Sequence, residues 1–293
     1  MAREQQQRFR RAGRCAAILI ALFVSATAFG QDKTPAPPQQ GAAAAPIPAP
    51  MPAPFSQDCQ IGNEQIVEQS PLPNVAAALQ NRKQLRILAI GSSSSIGRRA
   101  SRDLGHGPQI RQILQHAIKG LDVITINRGV SGELSAQAAS RIRNEVALHE
   151  PDLVLWQVGT NDALAFVPID ELRTTIVDTI NWLREHKVDV VLAGLQYVDR
   201  MSQDDHYKAV RDMLRDVAAK ENVMIVRRYE AQRLLSQAEG SGGGLVPDEF
   251  ARNEAGYACM SQYMARAITL GIFGQALRMF PAANPPAARS PQN

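Results

Sequence analysis

Small polar residues recur at three points where strand-like runs of the sequence end. GSSSSIG (Gly91–Gly97) follows the first run, a glycine-rich segment that contains Gly132 follows the second, and GTND (Gly159–Asp162) follows the third. A serine hydroxyl can attack an ester carbonyl, and backbone N–H groups and a carboxamide can donate to the oxyanion that forms. Each segment alone is also typical of a turn or a helix cap. Their repetition at successive strand ends predicts an acyl-transfer site.

The elements that must position these segments are short buried strands that alternate with amphipathic helices. Five apolar runs rich in β-branched residues are typical of parallel strands: Leu85–Ile90, Val123–Asn127, Leu153–Val158, Val188–Gly194 and Val223–Arg227. Alternation with helices predicts an α/β fold, a three-layer α/β/α sandwich around a five-stranded parallel sheet. Sites in such folds lie at the carboxyl ends of the strands, where the three polar segments fall.

The three segments resemble motif blocks of the SGNH/GDSL hydrolase superfamily, over about Leu85–Ile268. The resemblance implies that Ser93 is the nucleophile and that Asn161 directs its side-chain amide at the oxyanion. It also implies that the second block's glycine is Gly132, with Gly129 as the less favoured alternative. The fold implied is flavodoxin-like, and the activity implied is hydrolysis of acyl esters without a metal or a cofactor.

Two positions depart from the family pattern. Ser92 stands where the family has aspartate, at a position that shapes the turn. The fourth block of the family reads Asp-x-x-His before a helix start, and here Asp248 is present but Ala251 occupies the histidine position. The register of this block is fixed by the residues that follow, Asn253, Gly256 and Tyr257. The residue that would take the serine proton is therefore absent from its usual place.

A serine hydroxyl needs a base, so another histidine is one solution. His206 is favoured because it lies in or just after the loop that follows the fourth strand, where Asp204 and Asp205 beside it could raise its basicity. His106, which follows the nucleophile loop, is the second candidate. A structural role for each histidine, exposed or near a helix cap, is the competing interpretation.

Two further alternatives remain for a chain without this histidine. The protein is a non-catalytic relative that keeps the cleft and binds acyl or glycan ligands, or a group on the substrate itself acts as the base. In either case the partner is a small-molecule ester or an acylated glycan or lipid.

A flavin carrier is a competitor from another class, because flavodoxin-like proteins also hold phosphate in Ser/Thr-rich loops after the first strand. Only 5% of the residues are aromatic, and a flavin site would leave GTND unexplained. No cluster of His, Asp or Cys has the spacing of metal ligands. The sequence therefore predicts a site without cofactors.

The amino-terminal segment has the layout of a secretory signal peptide. A basic head precedes an apolar run, Cys15–Gly30, that ends in small residues and is short for a bilayer span. Residues 1–31 hold five Arg and one Glu, a net charge of +4 that equals the net charge of the whole chain. The mature protein is therefore near neutral, which argues against nucleic acid as a partner. We expect a periplasmic or secreted protein with no stable membrane insertion after removal of residues 1–30.

Composition also divides the rest of the chain. Residues 31–57 are rich in Pro and Ala and predict a disordered linker, as do residues 280–293 at the other end. The hydrolase-like domain is predicted over 58–279. Cys59 and Cys259 are the cysteines left after export, and an oxidising compartment predicts a disulfide that ties the amino-terminal arm to the last helix.

Overall fold

The computed structural model describes residues 56, 59–62, 66–92, 105–239 and 254–279. These residues belong to one compact unit, 47–293. Several predictions fall on other residues and lie outside the described part of the chain: the signal peptide (1–30), all of the linker (31–57) except Ser56, the tail (280–293), and the site residues Ser93, Asp248 and Ala251.

A mixed sheet of six strands forms the centre of the fold. The strands are β1 (Val67–Glu68), β2 (Gln84–Gly91), β3 (Asp122–Gly129), β4 (Leu153–Gln157), β5 (Asp189–Ala193) and β6 (Met224–Val226). Their order across the sheet is β1-β6-β5-β4-β2-β3. All neighbouring pairs are parallel except β1 with β6.

The five predicted parallel strands are confirmed, but the predicted count of five is wrong by one. The additional strand, Val67–Glu68, is an antiparallel edge strand in which Val67 pairs with Val226. Two residues are too few to show the alternating pattern by which a strand is recognised in a sequence.

Helices cover both faces of the sheet. They are α1 (Pro73–Arg82), α2 (His106–Ala117), α3 (Ser135–His149), the short α4 (Thr160–Leu164), α5 (Ile169–Glu185), α6 (Asp205–Lys220), α7 (Arg228–Glu239) and α8 (Glu254–Met279), with a 3₁₀ turn at Asp199–Met201.

Two hydrophobic clusters confirm the three-layer arrangement. Side chains of a strand point alternately to the two faces of a sheet, and in β2 Leu85 belongs to a cluster with residues of α1, α2 and α8. Leu88 belongs to the other cluster, with residues of α3, α5 and α6. On α3, Ala138, Ile142 and Val146 recur every four residues and so share the helical face that packs on this second cluster.

The predicted disulfide between Cys59 and Cys259 is present. Both cysteines are buried, and the hydroxyl of Tyr263 donates to the Cys59 carbonyl oxygen at 2.8 Å. The segment that precedes β1 is thus attached to α8. Within the described part of the chain, no helix combines the length and the apolar character that a bilayer crossing requires.

Candidate active site

A cleft lies at the carboxyl edge of the sheet, where the three polar segments were predicted to meet. The end of β2, the turn between β3 and α3, and the junction of β4 with α4 all contribute to it. Its lining includes Ser92, Glu133, Ser135, Gln157 and Asn161. The second and third polar segments are therefore next to each other in space, beside the last described residue before Ser93.

The end of β2 packs closely against the end of β4. Gly91 has a φ of +132°, and a Cβ atom there would clash with the carbonyl oxygen of Gln157, so glycine is required. The next residue, Ser92, accepts a hydrogen bond from Gln157 Nε2 at 2.9 Å. The Gly91 carbonyl oxygen accepts from the N–H of Val130 at 2.7 Å. These contacts fix the backbone that leads into Ser93.

The turn after β3 distinguishes the two glycines proposed for the second block. The Gly129 N–H donates to Asn127 Oδ1 at 3.0 Å, so it is already engaged. Gly132 has a φ of +77° with open space where a Cβ would lie. Its N–H has no acceptor within the described residues. Of the two glycines, Gly132 is therefore the one whose N–H is left to bind a further acceptor.

Asn161, at the start of α4, reaches across to this turn. Its Nδ2 donates to the carbonyl oxygen of Glu133 at 2.8 Å, which places the amide beside the residue that follows Gly132. A carboxamide nitrogen carries two hydrogens, and this contact uses one of them. One hydrogen bond thus joins the Asn161 amide to the turn that carries Gly132, and it leaves the second Asn161 N–H for another acceptor.

Asp162, also on α4, binds the first residue of α3. Its buried carboxylate accepts from the N–H of Ser135 at 2.8 Å and from the Ser135 hydroxyl at 2.7 Å. These bonds satisfy the first backbone donor of α3, which would otherwise be unpaired in the interior. The aspartate of GTND therefore has a structural role, because it fixes the start of α3 against α4.

Thr160 connects the cleft to a buried cation that the sequence did not suggest. Its hydroxyl oxygen accepts from the Gln196 N–H at 3.0 Å and from Arg228 Nη2 at 3.2 Å. Arg228 is 2% exposed, and burial lowers its pKa to about 10. Nothing in the local sequence of Arg228 indicates this contact, because it depends on the packing of β6 beside β5.

His106 lies in the interior and does not have the properties of a general base. Its Nδ1 is 2.9 Å from the Ser261 hydroxyl oxygen, which is also 2.8 Å from the Tyr257 carbonyl oxygen. Burial, and secondly the charge of Arg228, lowers the pKa of His106 to about 3. The imidazole is therefore neutral at physiological pH and accepts a proton poorly. A structural role for His106 fits these observations, but the expected exposed position is wrong, because the ring packs against Tyr257 and Ser261 in the interior.

His206 lies at the start of α6, where its two aspartate neighbours bind other groups. Asp204 accepts from the Tyr207 N–H at 2.7 Å as the cap of α6, while the Asp205 side chain is fully exposed and pairs with Lys208. Residues adjacent in a helix do not face each other, which explains the difference.

The ring of His206 is nevertheless in an unusual setting. Its Nε2 is buried without a hydrogen-bond partner in the described residues, and its ring stacks on Phe166 with 5.3 Å between centroids. Phe166 is 62% exposed and has a φ of +54°. His206 does not line the cleft described above. Among the described residues, no group of His, Cys, Asp and Glu side chains could hold a metal ion.

Comparison with known proteins assigns the chain to a family. The model of the non-GDSL lipase-like family matches residues 58–273. An arylesterase from Vibrio mimicus is 27% identical over 108 residues, which are 37% of this chain and 50% of that protein. The chain thus spans about half the length of this curated relative.

Solved structures show the same fold at low sequence identity. The structure of TesA superposes with a TM-score of 0.51 and 23% identity, over 63% of this chain and 97% of that one. A two-domain esterase, CEX, described as active on acetylated mannans, gives a TM-score of 0.59 and 16% identity, over 80% of this chain and 61% of that one. From the family match and the fold together, the chain belongs to the non-GDSL lipase-like family and has the fold of the SGNH/GDSL esterases.

Proposed function

We propose that this protein is an exported serine hydrolase of carboxylic esters, acting on acyl or acetyl groups. Ser93 is the nucleophile, Gly132 and Asn161 hold the oxyanion, and Asp248 is the retained acidic residue. The site uses no cofactor. The substrate is a small ester or an acylated glycan or lipid.

The hydrogen bond between Asn161 and the turn that carries Gly132 is the observation that carries this proposal. The Asn161 amide is fixed by its bond to the Glu133 carbonyl, and the Gly132 N–H belongs to the preceding residue. Donors held rigidly near the carboxyl end of β2 can stabilise negative charge that develops on a carbonyl oxygen. A solvated turn or a simple helix cap would not require a side chain of α4 to bind the turn that follows β3.

The reaction follows from these roles. The Ser93 hydroxyl gives its proton to a base while its oxygen bonds to the ester carbonyl carbon, and the carbonyl oxygen becomes an oxyanion between Gly132 and Asn161. The oxyanion collapses, the bond to the alcohol oxygen breaks, and the alcohol leaves with the proton. Water then attacks the acyl-serine in the same way and releases the carboxylic acid.

The relatives support the substrate class, and the disulfide supports export. The names of the arylesterase and of the esterase active on acetylated mannans indicate small esters and acetylated sugars for those proteins. Disulfides persist mainly in oxidising compartments such as the periplasm and the extracellular space. A periplasmic or secreted esterase of acetylated glycans, or of similar small esters, fits both the names of the relatives and the disulfide.

Hydrolysis of p-nitrophenyl acetate tests this function. We expect turnover by the wild type that is abolished in Ser93→Ala, and a kcat lower by about 10²–10³-fold in Asn161→Ala because one oxyanion donor is lost. Asn181→Ala is the matched control, since Asn181 is an exposed carboxamide on α5. Equal rates for wild type and Ser93→Ala would contradict the proposal.

The proton acceptor is the second part of the proposal, and His206 is our candidate. Its buried Nε2 has no hydrogen bond within the described residues, so no described residue competes for this nitrogen. Phe166 covers the ring from the solvent side in a left-handed backbone conformation that is uncommon for a bulky residue. Displacement of Phe166 would uncover the face of the His206 ring on which it stacks.

Replacing His206 by alanine tests this role. We expect His206→Ala to lower kcat by about 10²–10⁴-fold, the usual contribution of a positioned base. His186→Ala is the matched control, because His186 also stacks on an aromatic ring, that of Trp182, but is exposed at the end of α5. Unchanged turnover in His206→Ala would exclude His206 as the base, and a group on the substrate would then be the candidate.

A non-catalytic binding protein is the second candidate, and alanine at position 251 favours it. The donors around Gly132 and Asn161 would still bind a carbonyl or a carboxylate without a base. A wild-type protein that binds acetylated oligosaccharides in calorimetry, but hydrolyses neither these nor p-nitrophenyl acetate, would identify this function.

A further inference from the structure

One side chain on α3 spans the turn that carries Gly132. Arg141 donates through Nη1 to Glu133 Oε1 at 2.6 Å, at the carboxyl end of the turn. It donates through Nη2 to the carbonyl oxygen of Arg128 at 2.6 Å, at the amino end. A guanidinium is planar and presents its donors in a rigid fork, so both ends of the turn are held by one rigid group.

Glu133 is the junction between this side chain and the oxyanion donors. Its backbone carbonyl accepts from Asn161, its side chain is 3% exposed, and its Oε2 is buried without a partner in the described residues. A buried carboxylate with one unsatisfied oxygen depends strongly on its remaining cation. Loss of Arg141 would therefore drive Glu133 toward solvent and would shift the carbonyl to which Asn161 is bound.

We propose that Arg141 is a positioning residue for the oxyanion site. It touches no substrate atom and acts through Glu133, by keeping the Gly132 N–H and the Asn161 amide directed at one point. This inference rests on the proposed ester hydrolysis for its kinetic consequence. Its structural consequence, a rigid turn at residues 129–134, is independent of any reaction.

The other contacts of α3 distinguish positioning from general stability. The start of the helix is held by Asp162, and its apolar face packs on the second hydrophobic cluster through Ile142 and Val146. Neither contact involves Arg141. Removing the guanidinium should thus loosen the turn while the helix and the sheet stay in place.

Kinetics of Arg141→Ala test the proposal, with Arg143→Ala as the matched control. Arg143 is exposed on the same helix, and its guanidinium lies over the Trp182 ring at 5.7 Å. We expect kcat for p-nitrophenyl acetate to fall by roughly 10²-fold in Arg141→Ala with KM nearly unchanged, because misplaced donors cost transition-state binding. Added guanidinium should restore part of the loss in Arg141→Ala and should not accelerate Arg143→Ala. Equal kcat for wild type and Arg141→Ala, or no response to guanidinium, would overturn the proposal.

Amide hydrogen exchange, measured by mass spectrometry, tests the rigidity of the turn without any need for turnover. In Arg141→Ala, peptides that cover residues 129–134 should exchange faster, while those that cover Ile142 to Val146 should be unchanged. If the wild type hydrolyses no ester, the proposed function fails while this measurement still tests the contact. Unchanged exchange in the turn would overturn the inference even in an active enzyme.

A conservative variant covers the case in which Arg141→Ala does not fold. A lysine at position 141 can pair with Glu133 but cannot also reach the Arg128 carbonyl with a fixed geometry. Arg141→Lys should therefore fold, with a kcat between those of wild type and Arg141→Ala. If Arg141→Ala does not fold, the kcat of Arg141→Lys should still be clearly below that of wild type. A kcat for Arg141→Lys equal to wild type would contradict the need for a two-ended contact.

Discussion

Ala251→His, introduced into His206→Ala, is expected to raise kcat for ester hydrolysis by about 10²–10⁴-fold over His206→Ala alone. The sequence retains Asp248 three residues earlier, so a histidine at 251 would have the carboxylate that orients an imidazole and stabilises its charged form. A serine without such a base is a weak nucleophile. In a related triad, removal of the base costs about 10⁶-fold in kcat.

Ala251→Gln in the same background is the matched control, because glutamine resembles histidine in size but cannot accept the proton at neutral pH. The two variants are compared by kcat for p-nitrophenyl acetate after circular dichroism has shown that both are folded. A rate for Ala251→His no higher than that for Ala251→Gln would mean that residue 251 does not face Ser93. The assignment of the fourth block would then be wrong.

The single Ala251→His variant separates a relocated base from a lost one. If His206 already takes the proton, a second imidazole adds little, and the variant should remain within a few fold of wild type. If no base is present, an inactive wild type should become active. Inactivity of both proteins would contradict ester hydrolysis and would favour the binding function.

Much of the fold was predictable because buried parallel strands have a strong local signal. Runs such as Leu153–Val158 are apolar and β-branched, and the structure places β4 there at Leu153–Gln157. The edge strand Val67–Glu68 has no such signal, because its pairing with β6 depends on where the arm before α1 is held. Local patterns therefore predict the elements that are buried on both faces and miss the one that tertiary contacts create.

The candidate site was predictable in its loops but not in its supporting contacts. The glycine and GTND motifs predicted that the loops of Gly132 and Asn161 are neighbours, and the bond from Asn161 to Glu133 joins them. The hydrogen bond of Gln157 with Ser92 joins residues 65 positions apart, so no local pattern encodes it. Arg141 is eight positions from Glu133 but on another element, and only the path of the turn brings them together.

Loss of the Cys59–Cys259 disulfide is expected to lower the free energy of unfolding by up to about 5 kcal/mol. The bridge joins residues 200 positions apart, and the chain between them includes all six strands. A crosslink restricts the unfolded chain more strongly as the closed loop lengthens, so this bridge is near the upper end of what a disulfide contributes. The buried sulfurs and the bond from Tyr263 to the Cys59 carbonyl add contacts that fix the arm on α8.

Urea unfolding of the wild type and of Cys59→Ala/Cys259→Ala, each with and without dithiothreitol, measures this contribution. The double variant should unfold at a lower urea concentration than the oxidised wild type, and reduction should shift the wild type but not the variant. A steeper dependence on urea is also expected for the variant, because its unfolded chain exposes more surface without the crosslink. Titration of two free thiols in denatured, unreduced wild type would contradict the bridge itself. An unchanged midpoint despite an intact bridge would mean that the arm before β1 is held to α8 by packing alone.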